Sequence, residues 1–264
     1  VEKPESKRGK VEFVPLEMIP EIETALLKEE LHWRVFLEIE IWTGMRPGEI
    51  NGLKWSDIDL TAGQETIHIE RGIRYAPGRG VYEESPKTDN GVRTIPIPAH
   101  LSELLREYRR EQGRMMMERG EYFHNEGWLF LNSAGDGSVM NPQSPGQWFG
   151  RFRQRNGFPK EITLYSFRNG YASSLIAGGA DLRETSRLMG HANPGFTMNV
   201  YVHPEERRDS VRILEGLYGR KQNGGDSGEP NLPSKLPHTY HSSGHRSIHS
   251  ERIQNLSSHL RDGI

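Results

Sequence analysis

The spacing of apolar residues changes period twice along this chain and divides it into three stretches. In the first, Ile19, Ile22, Ala25 and Leu26 fall on one face of a helix that follows Pro15. Residues 32–43 are denser. Trp33, Val35, Phe36, Ile39, Ile41 and Trp42 leave little room for a polar stripe, so this helix is expected to be mostly buried. Gly44 is its stop signal, because glycine readily takes the left-handed conformation that ends helices. Pro47 suits the first turn of another short helix through Glu49, Ile50 and Leu53.

In the second stretch the period falls to two. Thr66-Ile67-His68-Ile69 and Arg93-Thr94-Ile95-Pro96-Ile97 alternate as strands do. Between them, the Pro77-Gly78 turn, Val81-Tyr82 and the turn Lys87-Thr88-Asp89-Asn90-Gly91 fit a small antiparallel sheet. Pro96 and Pro98 put the last strand on an edge, since proline cannot donate to a further neighbour.

Helical spacing then returns with Leu101, Leu104, Leu105 and Tyr108. Trp128-Leu129-Phe130-Leu131 is an apolar run too short to assign to helix or strand, and Ser133 to Gly146 reads as a loop. Trp148, Phe149 and Phe152 predict a helix with Arg151, Arg153 and Arg155 on another face. Residues 164–177 form a further helix, with Phe167, Tyr171, Leu175 and Ile176 inward. Asp181 and Glu184 make a capping box for a helix ending near Gly190. Val211, Leu214 and Leu217 mark a last helix. From about Gln222 onward the chain is rich in Ser, His, Gly and Pro and is expected to be disordered.

Composition narrows the function. The chain has 264 residues, 34% of them hydrophobic, enough for one substantial core with tails. The absence of cysteine excludes disulfides and thiolate metal sites and favours an intracellular, cytoplasmic setting. No run reaches the roughly 18 apolar residues of a membrane span, and no membrane partner is expected. The start, Val1-Glu2-Lys3-Pro4-Glu5, has neither an initiator methionine nor a signal-peptide pattern, so the chain is expected to be part of a longer protein. His241, His245 and His249 recur every fourth position, but Gly244 and the neighbouring serines oppose a helix that would align them on a metal. No metal and no cofactor are expected.

With a net charge of −2, no global field draws the chain to nucleic acid. Such binding would rest on local clusters: Arg71, Arg74 and Arg79; Arg106, Arg109 and Arg110; and above all Arg151, Arg153 and Arg155. For any one of these the plain alternative is a solvated face.

The chemistry lies in four motifs. They are Thr43-Gly44-Met45-Arg46-Pro47-Gly48-Glu49; Leu164-Tyr165-Ser166-Phe167-Arg168; Leu188-Met189-Gly190-His191; and Asn199-Val200-Tyr201-Val202-His203. In this order, and with Ser85-Pro86-Lys87-Thr88 in the predicted sheet, they resemble the boxes of the tyrosine recombinase (phage integrase) family over roughly residues 11–220. The resemblance implies a mainly helical catalytic domain with a small antiparallel sheet, at residues 11–221. Residues 1–10 would be the remnant of a linker from an N-terminal core-binding domain, and 222–264 a tail. It further implies two duplex DNA sites held by a homotetramer, a bacterial or phage-encoded protein, and no small-molecule substrate.

Roles follow residue by residue from that resemblance. Arg46 and Arg168 would hold the scissile phosphate, a task suited to planar, permanently charged guanidinium groups. Tyr201 would attack the phosphorus and store the bond as a 3′-phosphotyrosine. Lys87 would protonate the leaving 5′ oxygen, His191 would bond the phosphate or Tyr201, and Glu49 would orient its neighbours. The sequence departs from the family at Tyr165, where histidine or lysine is usual. A phenol can donate to phosphate but is a poor proton acceptor at neutral pH, which leaves His191 or water to take the proton of Tyr201. The function implied is integration and excision of a mobile element. Topoisomerase-like relaxation of DNA and non-catalytic DNA-binding regulation are the alternatives.

Overall fold

A computed structural model describes residues 13–86 and 89–190. Seven α-helices and five short strands are found among them. The helices are α1 (Ile19–Leu26), α2 (Leu31–Thr43), α3 (Pro47–Asn51), α4 (Ala99–Arg119), α5 (Ser144–Arg155), α6 (Leu164–Ala177) and α7 (Leu182–Met189). The strands are β1 (Ile58–Asp59), β2 (Thr66–Ile69), β3 (Gly72–Ala76), β4 (Gly80–Glu84) and β5 (Arg93–Pro96). None of the described helices is long and apolar enough to cross a membrane.

Helix α2 is the central rod and packs against α1, α3, α4 and α6. Its residues Val35 to Glu40 are buried on every side, while Trp33, Ile41 and Trp42 at its ends are only partly covered. Phe36 meets Phe130 edge to face, and Trp33 stacks on Trp148 of α5 at 4.9 Å. Gly44 ends the helix at φ 59° and donates its N–H to Glu40 O, and Pro47 opens α3.

The small sheet is in fact two. Strands β1, β2 and β5 form one antiparallel sheet with β5 on its edge, and β3 and β4 form a separate hairpin. Ile67 pairs with Ile95, and both face the core. The apolar run at Trp128 turns out to be extended. Trp128 bridges Lys54 and Leu131 bridges Val139, with Gln112 of α4 donating to the carbonyls of Trp128 and Leu129.

Thr163 caps the start of helix α6, and its N–H donates to Ser166 Oγ. Phe167 is buried as expected, but Tyr171, Leu175 and Ile176 are only partly so, and Leu164 and Ala172 take the inner positions. Asp181 caps α7 by accepting from Arg183 N at 2.6 Å. The expected capping box is only half formed, because Glu184 turns outward to a two-pronged pair with Arg187.

Candidate active site

Arg46 and Arg168 are far apart in sequence but meet at one end of α7. Arg46 lies at the N-terminal cap of α3 and sends Nη2 toward Gly190 O at 3.4 Å. Arg168, in the second turn of α6, donates Nη1 to Gly44 O at 2.5 Å and Nη2 to Met189 O. The two guanidiniums therefore touch the carbonyls of adjacent residues. Gly190 is left-handed there, at φ 62°, and a side chain at that position would run into the guanidinium of Arg93.

Glu49 sets the orientation of Arg46. Its carboxylate accepts the Arg46 backbone N–H at 3.0 Å and Arg46 Nη1 at 2.6 Å. Arg93 of β5 reaches the same carboxylate from the other side, with Nη2 2.8 Å from Oε2. Burial alone would raise the pKa of Glu49. The Arg93 charge and hydrogen bond, helped by Arg46, outweigh it and hold the carboxyl at about 2.

A pocket of about 450 Å³ opens in front of this arrangement, lined by Arg46, Glu49, Arg71, Arg74, Glu84, Ser85, Pro86, Gly91, Tyr165 and Gly190. Tyr165, in the first turn of α6, is exposed on the pocket wall. Arg46 is one-third exposed, whereas Arg168 is 3% exposed and sits behind the wall. The pocket is less positive than its arginines imply. Arg71 pairs with Asp57, Glu70 and Glu83, and Arg74 pairs with Glu84 at 2.7 Å.

Most arginines of the other clusters are also engaged within the protein. Arg79 lies over the ring of Tyr82, Arg106 donates to Leu60 O, and Arg109 approaches the ring of Trp55. On α5, Arg153 donates to the carbonyls of Lys160 and Ile162, and Arg155 pairs with Glu29 at 2.7 Å. Arg151 is exposed beside Trp148 and Trp33 in another pocket, away from the residues around Arg46.

Lys87, His191 and Tyr201 lie outside the described residues, as do the segment around Val211, the histidines of the tail, and residues 1–10. Among the described residues no group of His, Asp and Glu side chains is arranged to hold a metal ion.

Two residues of this neighbourhood escaped the sequence reading. One is Arg93, whose position on the inward face of an alternating strand, in step with Ile95, was a visible sign. The other is Glu40 on α2, fully buried, with no hydrogen-bond partner among the described residues on either carboxylate oxygen. Burial pushes its pKa well above the ordinary range, partly offset by the charge of Arg168.

Comparison with known proteins places these features. The model of the phage integrase family matches residues 13–208. A tyrosine recombinase XerC-like protein of Caldanaerobacter subterraneus subsp. tengcongensis is 30% identical over 229 residues, covering 81% of this chain and 57% of the relative. The ICEBs1 integrase of Bacillus subtilis is 24% identical, covering 80% of this chain and 56% of the relative. The chain thus spans little more than half the length of these two relatives. Its fold is that of the Tn1549 transposon integrase solved in complex with transposon right end DNA, with a TM-score of 0.68 at 22% identity, covering 82% of this chain and 69% of that one.

Proposed function

The chain belongs to the phage integrase family, the tyrosine recombinases, and from that we propose that it is the catalytic domain of a site-specific DNA recombinase serving a mobile element. The observation that carries the reading is the meeting of Arg46 and Arg168 on the adjacent carbonyls of Gly190 and Met189. A guanidinium on a carbonyl has donors directed where phosphate oxygens can replace or supplement that acceptor.

In the proposed reaction, Arg46 and Arg168 hold the two non-bridging oxygens of a phosphodiester and stabilise the charge that builds on them at the pentacoordinate stage. Tyr201 Oη gives up its proton to His191 or water and forms the bond to phosphorus. The bond from phosphorus to the 5′ oxygen breaks, and Lys87 supplies the proton that oxygen needs. A second strand's 5′-hydroxyl reverses these steps and releases Tyr201. No nucleotide or metal is required, because the phosphotyrosine conserves the bond. Tyr165, on the pocket wall, donates its phenolic hydrogen to the phosphate.

We further propose that an N-terminal core-binding domain completes a clamp on duplex DNA, and that four protomers act on two sites. Arg151 is the α5 arginine best placed to meet a phosphate, since Arg153 and Arg155 are already engaged. Binding should weaken as salt rises.

The test is covalent capture. The protein is incubated with nicked duplexes from a randomised library and then denatured. A DNA adduct that survives denaturation supports the reading, and its loss in Tyr201→Phe completes it. Relaxation of supercoiled plasmid without recombinant products would instead make the protein a topoisomerase. Binding without any adduct would make it a regulator.

A further inference from the structure

We infer that Arg93 is a positioning residue of this reaction, a joint that fixes three segments of the site against one another without touching the DNA. The inference rests on the recombinase reading and goes beyond it. Arg93 is buried and makes bonds in three directions. Toward α3, Nη2 and Nη1 reach the two carboxylate oxygens of Glu49 at 2.8 and 3.3 Å. Toward the end of α7, Nε donates to Leu188 O at 2.7 Å. Toward its own approach loop, Nη1 donates to Gly91 O at 3.1 Å.

Each of these segments leads to a group of the proposed chemistry. Glu49 grips Arg46 by both backbone and side chain. Leu188 precedes Met189 and Gly190, whose carbonyls take Arg168 and Arg46. Gly91 lies four residues after Lys87 in the sequence. A planar guanidinium with five donors can hold three such partners at fixed angles, whereas lysine cannot. The fit is close, because a Cβ on Gly190 would lie 2.7 Å from Arg93 Nη1.

The charged and titratable groups around this joint bear on its pH behaviour. Glu49 faces Arg46 on its own helix, Arg93 from β5, and Arg71, Arg74 and Glu84 across the pocket. Arg93 in turn faces Tyr171 of α6, with Glu184 of α7 nearby. Arg93 heads the influences that keep Glu49 ionised against burial. Without Arg93, the Glu49 carboxyl should rise from about 2 toward or beyond its ordinary 4.5. Protonated Glu49 cannot accept from the Arg46 guanidinium and backbone together, so cleavage should then fail as pH drops.

The experiment measures single-turnover adduct formation at saturating nicked duplex, from pH 5 to pH 8, for wild type, Arg93→Met and Arg93→Lys. DNA affinity and melting temperature are measured alongside. Misplacing reacting groups by about 1 Å costs on the order of 100-fold, and Arg93→Met should lose about that much at pH 8, with a drop toward pH 5 steeper than that of wild type. Arg93→Lys keeps the charge and loses the fork, so it should slow with the wild-type pH profile and near wild-type DNA affinity. If Arg93→Met is too unstable to assay, that slowing of Arg93→Lys at saturating DNA still decides the matter. The inference is overturned if Arg93→Lys cleaves at the wild-type rate when saturated, or if Arg93→Met slows equally at every pH. Absence of adduct from wild type would overturn the recombinase reading itself, a separate outcome.

Discussion

Glu40 offers a test of the electrostatics beneath the site. It is fully buried in α2, and neither of its carboxylate oxygens has a hydrogen-bond partner among the described residues. Burial favours the protonated form, so the folded-state pKa stands well above 4.5 despite the nearby Arg168. A raised carboxyl contributes stability that is fully present below its unfolded pKa and is lost as pH climbs toward the folded one. Each pH unit in that window should cost about 1.4 kcal/mol. An unsatisfied buried polar group costs about 1–3 kcal/mol in addition. Glu40→Leu removes both terms and keeps a similar volume. Loss of the unsatisfied group alone should stabilise the protein by about 1–3 kcal/mol, and the gain should be larger at pH 8 than at pH 6. Urea unfolding followed by tryptophan fluorescence at pH 5, 7 and 8.5 measures this directly. The wild-type midpoint should fall across the series more steeply than that of Glu40→Leu. If Glu40→Leu is the less stable protein at pH 8, or keeps the wild-type pH slope, then Glu40 is ionised and holds Arg168 as a buried ion pair, not as a neutral acid.

Glu38 provides a companion case, raised to about 7 by burial and by Glu23, while Trp42 Nε1 donates to it. Glu38→Gln keeps an acceptor for Trp42, so it should gain up to about 3 kcal/mol at pH 8 and nothing below pH 4.5 by the same unfolding assay. Gly44→Ala places a methyl group against the ring of Tyr171 at φ 59°; a loss of about 1–3 kcal/mol is expected, and adduct formation should fall with it because Gly44 O holds Arg168. Tyr165→His puts a group able to accept a proton on the pocket wall, and adduct yield should hold or rise; a collapse would mean that the phenol has a role beyond donating to phosphate. Arg151→Ala should weaken duplex binding at all sequences and shallow its salt dependence by about one unit, and an unchanged salt slope would remove α5 from the DNA-facing surface.

The helical frame was legible because its signals are local. Gly44, Pro47 and Asp181 mark ends that the backbone must respect, and α6 runs over the stretch from Leu164 to Ala177 that its spacing foretells. The convergence of Arg46 and Arg168 was legible only through the order of the motifs, since no periodicity relates α3 to α6. What the sequence hid were long-range pairs. Clustered arginines looked like a basic face, yet Arg155 is matched by Glu29 and Arg71 by Asp57, partners that lie remote in the chain. Glu40 was hidden for a related reason. Its neighbours in α2 dictate burial, and nothing in their pattern tells whether an acid there finds a partner. Strand β1 was missed because two residues carry no alternation to read.

The central claim, that the phenolic oxygen of Tyr201 takes over a DNA strand held by Arg46 and Arg168, is tested most directly by finding the residue to which the DNA becomes attached. Adduct captured on nicked duplex is digested with nuclease and trypsin, and the nucleotide-bearing peptide is sequenced by mass spectrometry. The account predicts a phosphodeoxynucleotide on the peptide spanning residues 188–207, in which Tyr201 is the single tyrosine. Attachment at Tyr165, at Tyr171 or at any serine would contradict it.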